Sequence, residues 1–220
     1  KTLNWAENNL RRQENGEQSD SLWAWKWGRK EDGSWGTIDS NFASDADIDA
    51  ITALIFAYRR WQNPEYLKLA RTKLGDLWKL STFTGSSQKR YLLPGPSHAF
   101  VPNSSTVYLN PSYFAPYAFR IFAQVDPERD WLSLVDSSYQ VLEKSLGLSA
   151  VNLPSDWVAL NLETVEFSAL PASSNIQTVY SFDAYRIWWR TALDAACYNS
   201  SQAKSYLQKS TQHLQKEWQQ

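Results

Sequence analysis

Ala43-Ser-Asp-Ala-Asp-Ile-Asp-Ala-Ile-Thr-Ala-Leu-Ile-Phe-Ala-Tyr-Arg-Arg-Trp61 decides the fold class of this chain. Ile48, Ile51, Leu54, Ile55 and Tyr58 recur at the spacing of one helical face. Ser44 is a good N-cap, and Asp47 three residues on completes a capping box. Asn63-Pro64 then opens a second helix, with proline at the first helical position, where its missing N–H is harmless. Tyr66, Leu67, Ala70, Leu74, Leu77 and Trp78 form its apolar face. Two amphipathic helices with a short break between them make a helical hairpin.

Outward from this pair the same pattern repeats. Residues 5–12 read as the end of a helix anchored by Trp5 and Leu10, so the chain is expected to start part-way through a domain. Further helices are expected over 111–125, 127–146, 182–198 and 201–218. The stretch 13–22 is polar and loop-like, and 23–38 suggests extended segments and turns among its glycines. Residues 82–110 and 147–175 read as long irregular loops, with one short strand at 157–160. About seven helices with minor strands make an all-α domain of stacked helical hairpins over residues 1–220, though periodicity alone also allows a bundle or a solenoid.

Composition narrows the function. Hydrophobic residues make up 43% of the 220, enough for a core. The 22 basic and 23 acidic residues leave a formal net charge of −1 and form no basic block, which argues against nucleic acid. No apolar run approaches a membrane span, so no membrane insertion is expected. Cys197 is the only cysteine, and His98 and His213 lie far apart, so neither a disulfide nor a zinc site is expected. Nothing calls for a cofactor: no phosphate loop, dinucleotide fingerprint or G-x-S-x-G elbow is present.

Twelve tryptophans and eleven tyrosines are the unusual numbers. Trp23, Trp25, Trp27 and Trp35 stand among glycines, next to the four aspartates Asp39, Asp45, Asp47 and Asp49. Indole rings stack on sugar faces, and carboxylates do acid and base work on glycosidic bonds, so this pairing suits a polysaccharide-cleaving cleft. The competing reading is that the aspartates cap a helix and offset its dipole while the aromatics fill a core. Asp183 is the second candidate carboxylate, with Arg186 three residues on as a cationic partner; a capped helix with a surface ion pair fits equally. Tyr113, Tyr117, Asp156 and Trp157 form a third group that either lines a cleft or packs helix starts.

These motifs, taken in order, resemble family 8 glycoside hydrolases. The resemblance rests on Trp5-Ala-Glu-Asn-Asn-Leu, Ala24-Trp-Lys-Trp-Gly, Asp32-Gly-Ser-Trp-Gly, Ile38-Asp-Ser-Asn, Ala43-Ser-Asp-Ala-Asp, Asn110-Pro-Ser-Tyr, Leu153-Pro-Ser-Asp-Trp and Phe182-Asp-Ala-Tyr-Arg. It is nearest to the branch that holds the periplasmic cellulase of bacterial cellulose synthesis. It implies an (α/α)6 toroid of six helical hairpins and endo-hydrolysis of a β-1,4-linked glucan with inversion. It implies that Asp183 is the general base, that Asp45 contacts the distorted sugar and that Asp47 supports it. Trp23, Trp25, Tyr113, Tyr117, Arg186 and Trp157 follow as substrate-binding residues. It also implies a periplasmic or secreted protein, a β-glucan partner and no cofactor or metal.

One departure is important. The family's catalytic acid is a glutamate in a Ser-Glu-Gly-type motif upstream of the Trp-x-Glu-Asn-Asn-Leu element, which begins here at Trp5. Glu14 and Glu17 lie on the wrong side of it. About seven helices also fall short of the twelve in a full toroid. The expectation is therefore an incomplete toroid, truncated at the N-terminus and at the C-terminus as well, with the acid supplied by a separate segment or a second chain. The alternative is a non-catalytic carbohydrate-binding or scaffold protein that has lost its acid, since losing a general acid costs about 10²–10⁴-fold in rate.

Overall fold

The computed structural model describes residues 1–14, 17–85 and 87–219. The chain packs as two compact units, one made of Lys1–Thr82 with Pro94–Ser97, the other of Phe83–Leu93 with His98–Gln220.

The first unit opens with helix α1 (Thr2–Asn9), which ends where Leu10 N–H donates to the Ala6 carbonyl and the chain turns extended. Strands β1 (Arg11–Glu14) and β2 (Glu17–Trp23) then pair antiparallel with a bulge between Arg11 and Gln13. The polar run 13–22, expected as a loop, is thus largely a hairpin. Its charged side chains find specific partners, such as Arg12 on Asp20, and Leu22 points into the core. Asn15 and Gly16, in the same run, lie outside the described residues. A second hairpin joins β3 (Lys26–Arg29) to β4 (Trp35–Asp39). Its turn uses Gly33 at φ +82° and Asp32, which accepts from the N–H and hydroxyl of Ser34.

Helices α2 (Ser44–Trp61) and α3 (Pro64–Ser81) form the expected helical hairpin. Gln62 ends α2 in the left-handed conformation, and the Asn63 side chain caps α3 through Glu65 N–H. Ile48, Ile51, Leu54 and Ile55 are buried with Ala70, Leu74 and Leu77. The start of α2 differs from the capping-box expectation. Ala43 is the N-cap, and Ser44 N–H donates to the Pro94 carbonyl. The Asp47 carboxylate turns instead to Trp23 N–H.

In the second unit, β5 (Thr82–Thr84) pairs with β6 (Arg90–Leu92), and the short α4 (Ser97–Phe100) follows. Strands β7 (Thr106–Leu109), β8 (Val158–Asn161) and β9 (Phe167–Ser168) form an antiparallel sheet in that order. Strand β8 matches the strand expected at 157–160. The helix expected over 111–125 divides into a 3-10 turn (Pro111–Tyr113) and α5 (Pro116–Val125). Pro116 disfavours a helical residue before it, and Ala115 is accordingly held at φ −129°, ψ 71°.

Helix α6 (Trp131–Ser145), capped by Asp130, packs on α5. Phe119, Phe122 and Trp131 are fully buried, with Phe122 edge-on to Trp131 at 5.2 Å. Helices α7 (Arg186–Tyr198) and α8 (Ser201–Trp218) form another pair, linked by left-handed Asn199 and capping Ser200. Among the described residues there are eight helices with minor strands, a helical fold as expected. None of these helices is long and apolar enough to cross a membrane.

Candidate active site

The candidate residues gather in two groups, one in each unit. In the second unit the centre is Asp183, in the turn that leads into α7. Its Oδ2 accepts from Asn110 Nδ2 at 2.9 Å and its Oδ1 from Arg186 Nη2 at 2.6 Å. The same Arg186 nitrogen reaches Ser112 Oγ at 3.1 Å, and the guanidinium lies over the Tyr113 ring at 5.4 Å. Asn110 is itself fixed, since its Oδ1 accepts from both the N–H and the hydroxyl of Ser112. The carboxylate is thus gripped at both oxygens yet stays partly open to solvent, with 29% of its side chain exposed.

Asp156 holds the turn from behind. Its Oδ1 accepts from the backbone N–H groups of Ala184 at 2.7 Å, Ser181 at 3.2 Å and Asp183 at 3.2 Å. Burial pushes the Asp156 carboxyl above its usual value, and the N–H groups of Ala184 and Ser181 pull the other way. Asp156 therefore positions the turn rather than lining a cleft. The helix expected from 182 starts at Arg186 for this reason: the N–H groups ahead of it serve Asp156. An Asp followed by a turn of small residues is a weak signal, and nothing in the one-dimensional pattern pairs positions 156 and 183.

Aromatic rings flank this group. Trp157 stacks on Phe100 at 5.6 Å with planes 9° apart, and Tyr113 lies 6.4 Å from Trp157. Trp157 and Tyr113 are both half-buried. Tyr117 is buried on α5, with its ring 6.3 Å from Trp189 of α7.

The first unit holds the other group. Asp45 is half-exposed on the first turn of α2, where its Oδ1 accepts from Ala46 N–H. Asp47 is fully buried. Its Oδ1 accepts from Trp23 N–H at 3.2 Å, while Oδ2 is buried without a hydrogen-bond partner. Burial pushes the Asp47 carboxyl up to about 7, against the opposing pull of Lys73 and of the Trp23 N–H. Trp25 is 54% exposed with Lys26 Nζ 5.8 Å from its ring centre. Trp27 sits between Trp5, edge-on at 5.1 Å, and Trp35, stacked at 5.2 Å.

Two residues of this group carry no obvious signature. Lys73 Nζ is buried against Glu7 Oε1 at 3.0 Å, the Ser21 carbonyl and the Trp23 ring at 4.4 Å. Glu7 Oε1 also accepts from Trp23 Nε1 at 2.9 Å. The available signal was positional: Lys73 follows Ala70 by three and precedes Leu77 by four, so it lies on the apolar stripe of α3.

Among the described residues no cluster of His, Cys, Asp and Glu is arranged to hold a metal ion. Chemically, the Asp183 group offers an oriented carboxylate, a neighbouring cation and flat aromatic surface. The Asp47 group offers an acidic pair on α2 beside an immobilised indole.

Comparison with known proteins places this geometry in context. The family model of glycosyl hydrolases family 8 matches residues 1–216. An endoglucanase of Xanthomonas axonopodis pv. citri is 34% identical over 196 residues, which is 89% of this chain and 48% of that protein. The crystal structure of an endo-1,4-D-glucanase from Vibrio fischeri superposes with a TM-score of 0.80 at 29% identity, covering 96% of this chain and 57% of that one. An endoglucanase of Klebsiella pneumoniae, a family 8 glycosyl hydrolase, gives a TM-score of 0.73 at 30% identity, covering 91% and 59%. The chain spans about half the length of the curated relatives it matches.

Proposed function

The chain belongs to glycosyl hydrolase family 8, and from that premise we propose that it forms part of an inverting endo-β-1,4-glucanase. In this reading Asp183 is the general base. It takes a proton from the water that attacks the anomeric carbon from the face opposite the leaving group. Inversion needs the acid and base carboxyls about 6.5–9.5 Å apart to admit that water. Asp45 contacts the distorted sugar, and Asp47 supports it from the core. Trp23, Trp25, Tyr113, Trp157 and Arg186 contact the glucan, with Tyr117 behind them. This reading assigns none of these 220 residues as the acid that protonates the leaving oxygen. Both units belong to one (α/α)6 catalytic domain, which works on a cellulose-like polymer in the periplasm or outside the cell.

The observation that supports this best is the hold on Asp183. A surface ion pair needs one cation. Asp183 has a cation and an amide on separate oxygens, and a buried carboxylate fixing its backbone. That arrangement orients a carboxylate whose lone pairs must meet a water in one direction.

The test uses 2,4-dinitrophenyl β-cellotrioside, whose leaving group needs no acid assistance. The chain should release dinitrophenol and the α-anomer of cellotriose, followed by proton NMR. Asp183→Asn should lower the rate by about 10²–10⁴-fold. Equal rates for both proteins, or a β-anomeric first product, would reject the reading.

A further inference from the structure

A fully buried lysine is the least expected feature of the first unit. Removing an ammonium from water costs several kcal/mol, and an apolar side chain on the same helix stripe would usually pack at least as stably. Lys73 lies on that stripe with none of its side chain exposed. Its Nζ is enclosed by Glu7 Oε1, the Ser21 carbonyl and the face of the Trp23 indole. Ser21 is held in turn, because Asp76 Oδ2 accepts from its N–H at 2.8 Å and its hydroxyl at 2.6 Å.

Beyond the pairing of its strand with β1, Trp23 is held by this cluster and by Asp47. Its ring lies against Lys73, its Nε1 donates to the Glu7 oxygen that binds Lys73, and its backbone N–H donates to Asp47. The contacts fix both side-chain torsions of an indole that remains half-exposed. A strand end with one aromatic residue does not need this much holding for stability. An aromatic platform that must meet a flat ligand in one orientation does, because a ring ordered beforehand loses no rotamer freedom on binding.

We infer that Lys73 is a positioning residue for glucan binding: with Glu7 it pins the Trp23 indole as a preorganised platform for a glucosyl unit. The inference rests on the glucanase reading above and adds to it a residue that touches no sugar.

The test measures cellohexaose binding to the 220-residue chain by calorimetry, together with the indole N–H resonance of Trp23. That resonance is identified as the cross-peak lost in Trp23→Phe. Trp23→Ala should weaken binding tenfold or more. Lys73→Met should weaken it roughly threefold to tenfold, the size expected when one side chain must be ordered on binding, and should shift or broaden the Trp23 resonance. Glu7→Gln, which keeps an oxygen for the indole N–H but loses the charge, should act in the same direction, and carries the test if Lys73→Met does not fold. Wild-type affinity in Lys73→Met or Glu7→Gln, with Trp23→Ala impaired, overturns the inference and leaves the glucanase reading standing. A chain that binds no cellohexaose, or a Trp23→Ala protein that binds normally, overturns the reading at this residue and the inference with it.

Discussion

Replacing Asp47 by asparagine should flatten the pH dependence of stability between about pH 4 and pH 7. Asp47 is fully buried, with one oxygen on Trp23 N–H and the other without a partner. Its carboxyl is raised from the ordinary 3.8 to about 7. In the unfolded chain it loses its proton near pH 4, whereas in the folded chain it keeps the proton until about pH 7. Across that window the folded state binds more protons, so stability falls as pH rises, and levels off above 7. The shift is about three pH units at 1.36 kcal/mol each, which gives about 4 kcal/mol. Asparagine has no charge to bury. Its amide leaves two buried N–H donors in place of one orphaned oxygen, a penalty of about 1–3 kcal/mol that does not depend on pH. The difference in unfolding free energy, wild type minus Asp47→Asn, should therefore drop by about 4 kcal/mol between pH 4 and pH 8. Urea unfolding followed by tryptophan fluorescence at both pH values measures it. A difference that stays constant within 1 kcal/mol would refute the argument that burial outweighs Lys73 at this carboxyl.

Three further outcomes are expected. Asp156→Ala leaves three backbone N–H groups at the Asp183 turn without their acceptor and should cost about 2–4 kcal/mol in urea unfolding; Asp156→Asn, which keeps Oδ1, should cost clearly less. Asp194 is buried and accepts from Arg120 Nε at 2.8 Å and Tyr139 hydroxyl at 2.7 Å, so Asp194→Ala should destabilise by about 3–5 kcal/mol, seen as a marked drop in Tm by calorimetry. Arg186→Met should change stability by under about 1 kcal/mol, because the pair with Asp183 is partly solvated. It should nevertheless slow dinitrophenyl cellotrioside hydrolysis about a hundredfold, because Asp183 loses its orientation.

The helical hairpin at the centre of the first unit was legible because its code is local. Ile48 to Tyr58 and Tyr66 to Trp78 repeat at helical spacing, and Asn63-Pro64 is a start signal independent of the rest of the fold. The same holds for the α7–α8 link, where Asn199 and Ser200 supply turn and cap. The misread boundaries share a cause. The hairpin over 11–23 has too little apolar alternation to announce itself, because its order comes from a charge pair inside it, Arg12–Asp20, and from Asp76, 55 residues along the chain from Ser21. At Ser44 the local capping rule gave way to a partner 50 residues away, the Pro94 carbonyl.

The ordered motifs determined the family, and with it the candidate carboxylates, because short runs such as Ala43-Ser-Asp-Ala-Asp and Phe182-Asp-Ala-Tyr-Arg keep residue type and order together. Only the tertiary structure decided what each carboxylate does for the fold. Asp156 is a clamp on the Asp183 turn, Asp47 is buried with an unpartnered oxygen, and Asp45 stays half-exposed on the helix between these extremes. It also brought Lys73 and Glu7 to Trp23, across gaps of 50 and 16 residues. Helix periodicity is set by each residue's near neighbours and can be read along the chain. Burial, orphaned oxygens and charge pairs depend on which distant segments meet, and one-dimensional spacing does not carry that information.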